Sequence, residues 1–288
     1  MEQGQTIADC IAVTSARLAS ITDTPRLEAE LLLAYALGLS RASLLARLRE
    51  PVDGARLTPL LTRRLDHEPL AYIFGEWEFF GLSFHVHPPL LTPRPETEHL
   101  VETVLAYLAA RPADAPCCVA DLCCGTGCVV VAIGCHAPRA SLYASDIRAD
   151  AVDTTQRNAL RHGVHVQCAR GDLFAPLDPW CDCFDVVAAN PPYVPEGDWT
   201  GLSPVITKHE DPGALLAGAD GLDIIRRIIP EAHKRLRNGG MLALELGEDQ
   251  CEHVAVIMRT HGFEDIKATK DLAGIDRIIS GTRVATAV

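Results

Sequence analysis

The 288-residue sequence lacks any uninterrupted apolar run long enough to cross a bilayer. Its first residues, MEQGQTIADC, also lack the basic and then apolar regions of a signal peptide. Positive charge is scarce, with 26 Lys and Arg against 38 Asp and Glu and a formal net charge of −12. Because non-specific nucleic-acid binding depends on neutralising phosphates, this balance disfavours it, although a local basic groove is still allowed. We therefore expect a cytoplasmic protein that binds no membrane and no nucleic acid directly.

The sequence also lacks a metal-binding pattern. Its eleven cysteines are odd in number and show none of the spacing of secreted proteins, which favours reduced thiols in a cytosol. Cys181 and Cys183 form a C-x-C pair, but no second cysteine or histidine pair lies nearby. His85 and His87 would share one face of a strand, yet two ligands without a third make a weak site. No metal cofactor is therefore expected.

Apolar residues make up 48% of the chain, enough for a packed core, and the first quarter of the chain places them at helical spacing. Thr24-Pro25 is typical of a helix start with proline at the first helical position, and Gly38 can end that helix. Ser40 opens a second, short helix, and a third lies near Thr58–Asp66. Residues 1–74 are therefore predicted to form a small helical domain.

A different pattern begins at residue 75. In EWEFFGLSFHVHPPLL (76–91), aromatic and apolar residues alternate around Gly81, which predicts a β-hairpin, and residues 75–92 are interpreted as a linker. Residues 93–288 alternate strands and helices, which predicts a doubly wound α/β sheet with a final antiparallel pair near Arg277–Ile279. The candidate strands are 117–122, 141–146, 165–169, 184–189 and 241–246, and the candidate helices are 96–110, 127–136, 149–162 and 221–237.

A glycine loop follows the first strand of this sheet. Asp121 ends the strand, and the loop then leads directly into a helix, so a ligand can approach the backbone closely. The dinucleotide fingerprint G-x-G-x-x-G does not fit, because Val130 stands where the third glycine is required. The loop residues are Cys123, Cys124, Gly125, Thr126 and Gly127.

Acidic residues end the next two strands. Asp146 lies about 20 residues beyond the loop, where an acid meets a ribose diol in Rossmann-like sites, although it can equally cap the helix that begins near Ala149. The third strand runs into Asp172 and Leu173. Asp172 can accept a hydrogen bond from an adenine amino group, or it can simply belong to a turn. Because open α/β sheets bind ligands at the carboxyl ends of their strands, we favour cofactor binding.

The fourth strand ends in Asn190-Pro191-Pro192-Tyr193. Prolines end a strand because they lack the N–H that a sheet ladder needs. Together with the three preceding strand ends, this segment completes the pattern of a class I S-adenosylmethionine methyltransferase that acts on a planar nitrogen. Asn190 Oδ1 and a backbone carbonyl near Pro191 can each accept an N–H, which favours pyramidalisation of the nitrogen as the methyl transfers. Tyr193 can stack on the planar group; an ordinary proline turn with an asparagine cap is the alternative.

Further motifs surround these strand ends. Residues 68–72 spell EPLAY, residues 75–79 spell GEWEF, residues 92–98 spell TPRPETE and residues 271–277 spell DLAGIDR. With Asn-Pro-Pro-Tyr, they make nearly the whole chain resemble the PrmC (HemK) family of protein-(glutamine-N5) methyltransferases, which act on class 1 peptide chain release factors. Base methyltransferases share Asn-Pro-Pro-Tyr, whereas the TPRPETE segment is more specific. The family usually has glycine where this chain has Cys123, and we expect this position merely to end the strand, where a small thiol is tolerated.

The resemblance implies a class I methyltransferase fold, with a Rossmann-like seven-stranded sheet, and S-adenosyl-L-methionine as cofactor. It also implies that the helical domain and the catalytic domain both embrace the release factor, whose Gly-Gly-Gln loop enters the pocket. Asn190 and Pro191 would hold the glutamine amide, with Pro192 and Tyr193 completing the substrate and catalytic turn. The cofactor would be held by Asp121, Cys123, Cys124, Gly125, Thr126, Gly127, Asp146, Asp172, Leu173 and Asn190.

Some alternatives stay open. The Arg94–Glu98 segment would lie near the cofactor, or it would form a capping box for helix 96–110. A sister family that methylates a ribosomal large-subunit protein shares Asn-Pro-Pro-Tyr, and an N6-adenine methyltransferase of DNA or RNA is the rival enzyme class. The latter would need a basic groove or a target-recognition region. We also expect a monomer.

Overall fold

The computed structural model describes residues 5–112, 115–178 and 183–284, so Cys181 and both ends of the chain lie outside the described residues. The helices are α1 (Ile7–Leu18), α2 (Pro25–Leu37), α3 (Arg41–Leu45), α4 (Leu57–Leu65), α5 (Leu70–Phe74), α6 (Glu98–Ala109), α7 (Cys128–His136), α8 (Ala149–Arg161), α9 (Pro204–His209), α10 (Asp223–Arg235) and α11 (Cys251–Thr260). The strands are β1 (Glu76–Phe79), β2 (Leu82–His85), β3 (Cys117–Leu122), β4 (Ala140–Asp146), β5 (Val166–Arg170), β6 (Phe184–Ala189), β7 (Leu236–Glu245), β8 (Phe263–Lys270) and β9 (Asp276–Arg283).

These elements form two compact units. The first contains the residues up to Gly75 together with Ser203–His209, and the second contains Glu76–Leu202 and the chain from Glu210 onward. The hairpin within residues 75–92 groups with the second unit. The limits 1–74, 75–92 and 93–288 stay a prediction about functional domains, since compactness alone does not assign a role to a segment.

The first unit is helical, as the apolar spacing predicts. Pro25 is the first residue of α2, and Gly38 ends that helix with φ = 67°, in the left-handed region that favours glycine. The Arg64 guanidinium is buried in this unit and bonds to Glu28 at 2.6 Å. A buried pair of this kind satisfies two charges that would otherwise be costly to remove from water.

The second unit is built on a seven-stranded sheet in the order β5-β4-β3-β6-β7-β9-β8. β3 to β7 pair in parallel, and β9 runs antiparallel to both β7 and β8. Successive strand residues face opposite sides, so Ala120 packs with α10 and α11, while Val119 packs with α6 and α7. This arrangement confirms the predicted Rossmann-like class I methyltransferase fold.

The strand order places a crevice at the centre of the sheet. β3 pairs with β4 on one side and with β6 on the other, so the direction of winding reverses there. Ligands of open α/β sheets bind outside the carboxyl ends of the strands at this point. The predicted site residues follow β3, β4, β5 and β6, whose carboxyl ends share one edge of the sheet.

The hairpin turns at Gly81, which has φ = 70°, and its Phe79 and Phe84 are buried in the layer of α6 and α7. His85 and His87 lie with ring centroids 5.8 Å apart, and His87 Nε2 hydrogen-bonds to Thr154. Within residues 5–112, 115–178 and 183–284, no three His, Cys, Asp or Glu side chains gather into a site for a metal ion. Across the same described ranges, no helix has the length and apolar character needed to span a membrane.

Candidate active site

A cavity of about 250 Å³ lies at the carboxyl ends of the central strands. It brings together residues that are far apart in sequence, from the glycine loop to the turn after β6. The predicted site residues that line it are Asp121, Cys123, Cys124, Gly125, Thr126, Asp146, Asp172, Leu173, Asn190 and Pro192. Gly127, Pro191 and Tyr193 are not among its lining residues.

Asp121 lines this cavity and carries a buried carboxyl oxygen without a hydrogen-bond partner among the described residues. The residue is 1% exposed, and its Oδ2 accepts a hydrogen bond from the Val130 N–H at 3.2 Å. Its Oδ1 has no hydrogen-bond partner among the described residues. Burial raises the pKa of Asp121 to about 8, because the ionised form loses its hydration. A cationic group of a ligand would supply the missing partner, so Asp121 fits the ammonium group of an amino acid moiety.

The glycine loop packs tightly on α8. Gly127 has φ = 76°, and a Cβ at this position would lie 2.7 Å from Thr155 Cγ2. Gly125 also has a positive φ, of 53°, but a Cβ there would meet no atom within 4 Å. Gly127 is therefore required by both conformation and packing, and Gly125 by conformation alone.

Cys123 does not merely end β3, so the expectation for this position is wrong. Its φ is 57°, in the left-handed region that a non-glycine residue enters at a cost of about 1–2 kcal/mol. The backbone adopts this conformation because the chain turns away from the sheet directly after Leu122, and a glycine at position 123 would carry no such cost. Burial raises the pKa of the Cys123 thiol well above its usual value, so the group stays protonated.

Asp146 ties the glycine loop to the end of β4. Its Oδ2 accepts from the Gly125 N–H and its Oδ1 from the Arg148 N–H, both at 2.9 Å. Burial raises the pKa of Asp146, and these two backbone N–H groups oppose the shift. The N-cap residue of α8 is Arg148, and no side chain makes a capping bond to this helix, so Asp146 does not take the alternative capping role. Each carboxylate oxygen keeps a second lone pair, which is compatible with a ribose hydroxyl as well.

Asp172 and Leu173 border the cavity beyond β5. Asp172 Oδ2 accepts from the Arg227 guanidinium at 2.5 Å, and both side chains are about half exposed. Leu173 has φ = 50°, and its carbonyl accepts from the Ser145 hydroxyl at 2.7 Å. The ion pair with Arg227 occupies one oxygen of Asp172, so an adenine amino group would have to share this carboxylate.

Asn190 is held by a residue of the TPRPETE segment. Its Nδ2 donates to Thr97 Oγ1 at 3.2 Å, and Thr97 is 2% exposed in the 3₁₀ turn Pro95–Thr97. With the NH₂ end occupied, the Oδ1 end is the one that can accept from a ligand. Thr97 makes no capping bond to α6, and Glu98 Oε1 accepts from the Phe80 N–H instead. The capping-box alternative is therefore wrong.

Tyr193 is held by a buried acid at the end of β7. Its hydroxyl donates to Oε1 of the buried Glu245 at 3.2 Å, and its side chain borders a second cavity with Gln250 and Arg277. Tyr193 is not among the residues that line the first cavity, and its stacking on a planar substrate stays a prediction.

Ion pairs that the sequence does not reveal complete the cavity wall. Glu210 is buried, accepts from Arg94 at 2.6 Å and also accepts from the Thr92 hydroxyl. Asp211 accepts from Arg148 at 2.5 Å. These partners lie 116 and 63 residues apart, so no local pattern predicts them. Glu245 is different, because it ends β7 in the same way as Asp146 ends β4, and the strand-end rule would have found it.

Comparisons with known proteins agree with this geometry. Residues 9–75 match the PrmC N-terminal domain, and residues 101–202 match the methyltransferase small domain. The release factor glutamine methyltransferase of Geobacter sulfurreducens is 40% identical over 262 residues, which cover 90% of both chains. The release factor glutamine methyltransferase of Bordetella pertussis is 40% identical over 260 residues, covering 89% of this chain and 94% of that protein.

Solved structures support the fold. The hMettl16 catalytic domain, solved with an RNA hairpin of a 3′UTR, superposes with a TM-score of 0.56 at 16% identity, covering 80% of this chain and 84% of that chain. A methyltransferase from Pyrococcus furiosus gives a TM-score of 0.53 at 15% identity, covering 79% of this chain and all of that chain. At these identities the likeness concerns architecture alone, whereas the relatives near 40% identity match along almost the entire sequence. The chain belongs to the release factor glutamine methyltransferase family.

Proposed function

We propose that this protein transfers a methyl group from S-adenosyl-L-methionine to the side-chain amide nitrogen (N5) of the glutamine in the Gly-Gly-Gln loop of class 1 peptide chain release factors. The observation that carries the proposal is Asn190. Its amide is fixed on the Nδ2 side by Thr97, and it borders the same cavity as the glycine loop and the acids of β3 and β4. Curated relatives of this family support the choice of substrate.

The cofactor site is proposed at the β3 and β4 ends of the cavity. S-adenosyl-L-methionine supplies an electrophilic methyl group bound to a positively charged sulfur. Asp121 Oδ1 would accept from its ammonium group, Asp146 would bind its ribose and the loop backbone from Cys123 to Gly127 would line its path. Leu173 and Asp172 would border the adenine. The unpaired, buried Oδ1 of Asp121 is the feature that fits this cofactor best.

The acceptor site is proposed at the end of β6. Asn190 Oδ1 would accept one N–H of the glutamine amide, and a backbone carbonyl near Pro191 would accept the other. Two acceptors stabilise the positive charge that develops on nitrogen during transfer more than they stabilise the planar ground-state amide. Proline has no N–H and a fixed φ, so Pro191 and Pro192 keep the turn rigid. Tyr193 would anchor this turn through Glu245 instead of stacking on the substrate.

The test is methylation of a purified release factor with isotopically labelled cofactor, followed by peptide mass spectrometry. We expect label on the glutamine of Gly-Gly-Gln and none on a release factor in which glutamate replaces that glutamine. Asn190→Ala should keep most of its cofactor affinity while single-turnover methylation falls by about 10²–10³. Label in a ribosomal large-subunit protein or in naked nucleic acid, with none in the release factor, would replace the proposal by one of its rivals.

Three finer points belong to the same proposal. Residues 1–74 would act as the substrate-binding domain. The protein would be a monomer, which light scattering would measure. A protein that modifies release factors would work in the cytoplasm, where translation terminates. Labelling should also proceed without any added nucleic acid, in keeping with the net charge of −12.

A further inference from the structure

The turn after β6, from Asn190 to Tyr193, is called the acceptor turn here, and two prolines fill its middle. Proline has no N–H, so neither Pro191 nor Pro192 can donate a backbone hydrogen bond that would fix this stretch. The turn begins after Ala189, which pairs with both β3 and β7. Contacts at its two ends, at Ala189 and at Tyr193, therefore carry a large part of its positioning.

Gln250 holds the second end of the acceptor turn. It is 8% exposed and directly precedes α11, 57 residues along the chain from Tyr193. Its Nε2 donates to the Tyr193 carbonyl at 2.9 Å and to the Asp220 carbonyl at 3.2 Å, while its Oε1 accepts from the Gly247 N–H at 2.9 Å. The reverse orientation of the amide would set its oxygen against two carbonyls, so these partners fix its direction.

Gly221 confines the same carbonyl by close approach of the backbone. Its φ is 73°, and a Cβ at this position would lie 2.1 Å from the Tyr193 carbonyl oxygen and 2.7 Å from Gln250 Nε2. Only glycine lets the chain pass so near to this hydrogen bond. The Tyr193 carbonyl is therefore confined both by the hydrogen bond from Gln250 and by the backbone of Gly221.

Fixing this carbonyl also fixes the acceptors of the proposed mechanism. Only two prolines of restricted φ separate Tyr193 from Asn190, so a shift at one end passes through a stiff turn to the other. Asn190 Nδ2 donates to Thr97 at 3.2 Å, and a displaced turn would lengthen this bond and move Asn190 Oδ1. Misplacing a reacting group by about 1 Å can cost about 10²-fold in rate.

We propose that Gln250 is a positioning residue for methyl transfer, which holds the Tyr193 carbonyl and thereby both acceptors of the glutamine amide. The inference rests on the proposed function, because it concerns the acceptor site described there. Gln250 borders the second cavity and is not among the residues that line the first, so it acts through the turn and not on the ligands. Its loss should therefore lower the rate of transfer and leave the affinity for cofactor in place.

The experiment measures single-turnover methylation of a release factor at saturating S-adenosyl-L-methionine, beside the cofactor Kd by calorimetry. Gln250→Met keeps a side chain of similar length and loses all three hydrogen bonds. Its rate should fall by about tenfold to 10²-fold, while the cofactor Kd stays within about twofold of the wild type. Met258→Ala is the matched control, because Met258 is buried in the core further along α11 and its truncation lowers stability. The rate of this control should stay within about twofold of the wild type.

Two further variants separate positioning from stability. In a protein that already carries Asn190→Ala, Gln250→Met should cost about threefold or less, because part of what Gln250 positions is then gone. Gln250→Glu keeps an acceptor for the Gly247 N–H, but an ionised carboxylate donates nothing to the Tyr193 carbonyl. At about pH 9 it should therefore lose rate as Gln250→Met does. Gln250→Glu decides the matter if Gln250→Met fails to fold.

The inference is overturned if the Gln250 variants transfer methyl within about twofold of the wild-type rate, or if Gln250→Met costs the same factor with and without Asn190→Ala. It is also overturned if Met258→Ala loses as much rate, or if the cofactor Kd of Gln250→Met weakens in proportion to its rate. A wild type that leaves every release factor unlabelled refutes the proposed function instead, so the two failures are distinguishable.

Discussion

Replacing Asp121 by asparagine should make the cofactor-free protein less stable in mild acid and more stable in mild base. Burial raises the pKa of Asp121 from 3.8 to about 8. The folded state therefore holds this proton more tightly than the unfolded state. The stability that results is fully present below pH 3.8 and is lost as the pH rises toward 8. An asparagine side chain does not titrate in either state, so the Asp121→Asn variant would not share this loss.

The magnitude follows from the size of the shift. Between pH 5 and pH 8 the wild type should lose about 1.4 kcal/mol per pH unit through this group, or about 4 kcal/mol in all. The asparagine keeps an acceptor for the Val130 N–H, but its NH₂ group lies where Oδ1 has no partner among the described residues, which costs about 1–3 kcal/mol. Asp121→Asn should thus be destabilised by about 1–3 kcal/mol at pH 5 and stabilised by a similar amount at pH 8.

Urea unfolding of both proteins at pH 5, 6, 7 and 8 without cofactor measures this difference, and other titrating groups cancel in the comparison. Asp185→Asn is a matched control, because Asp185 is equally buried but bonds to Arg111 at 2.7 Å. Replacing this carboxylate leaves the Arg111 guanidinium without its ion-pair partner, so Asp185→Asn should lower the free energy of unfolding at every pH. A free-energy difference between Asp121→Asn and wild type that stays constant from pH 5 to pH 8 would refute the reasoning. Asp121→Asn should also bind S-adenosyl-L-methionine more weakly than the wild type does. Equal affinity would remove Asp121 from the proposed cofactor site.

Three further predictions concern the loop and the end of β4. Gly127→Ala should lower the free energy of unfolding by about 1–3 kcal/mol more than Gly125→Ala does. Both variants place alanine at a positive φ, but only the methyl group at position 127 would meet Thr155. Equal losses in urea unfolding would contradict the packing argument. Cys123→Gly should stabilise by up to about 1 kcal/mol, because about 1–2 kcal/mol of left-handed strain outweighs the extra freedom of glycine in the unfolded chain; clear destabilisation would mean that the thiol packs productively. Asp146→Ala should bind the cofactor at least about tenfold more weakly by calorimetry, and unchanged affinity in a folded variant would reject the ribose role of Asp146. The variant should also lose about 1–3 kcal/mol of stability, because two backbone N–H groups lose their acceptor.

The strand ends could be predicted because their signals are local. A run of apolar residues followed by Asp121, Asp146 or Asn190 marks both the strand and the edge at which it stops. The rule that parallel strands share one edge then assembles the site without any tertiary information. The signal from Gly125 and Gly127 is equally local, since the turn between β3 and α7 has a positive φ at both positions.

Side-chain direction and long-range pairing were not predictable in this way. Tyr193 follows two prolines in a turn, and nothing in its neighbours tells that its hydroxyl meets Glu245, 52 residues later. The φ of Cys123 depends on how the loop must turn to reach α7, which a residue type does not reveal. Glu210 meets Arg94 only because a segment far along the chain returns to the cavity. Such contacts depend on the packed structure and leave no periodic trace in the sequence.

The pairing of charges around the cavity indicates which ligand it favours. Arg94 bonds to Glu210, Arg148 to Asp150 and Asp211, and Arg227 to Asp172, so each of these guanidinium groups already has a carboxylate partner. Within the described part of the chain, Asp121 and Asp146 instead accept hydrogen bonds from backbone N–H groups. Asp121 and Asp146 therefore make no ion pair among the described residues, and burial favours the protonated form of Asp121 in the cofactor-free protein. A positively charged sulfonium donor would favour the ionised form of these carboxyl groups, whereas a phosphate group would not. The electrostatics of the site thus favour S-adenosyl-L-methionine over a dinucleotide, the same choice that the missing third glycine indicates from the sequence.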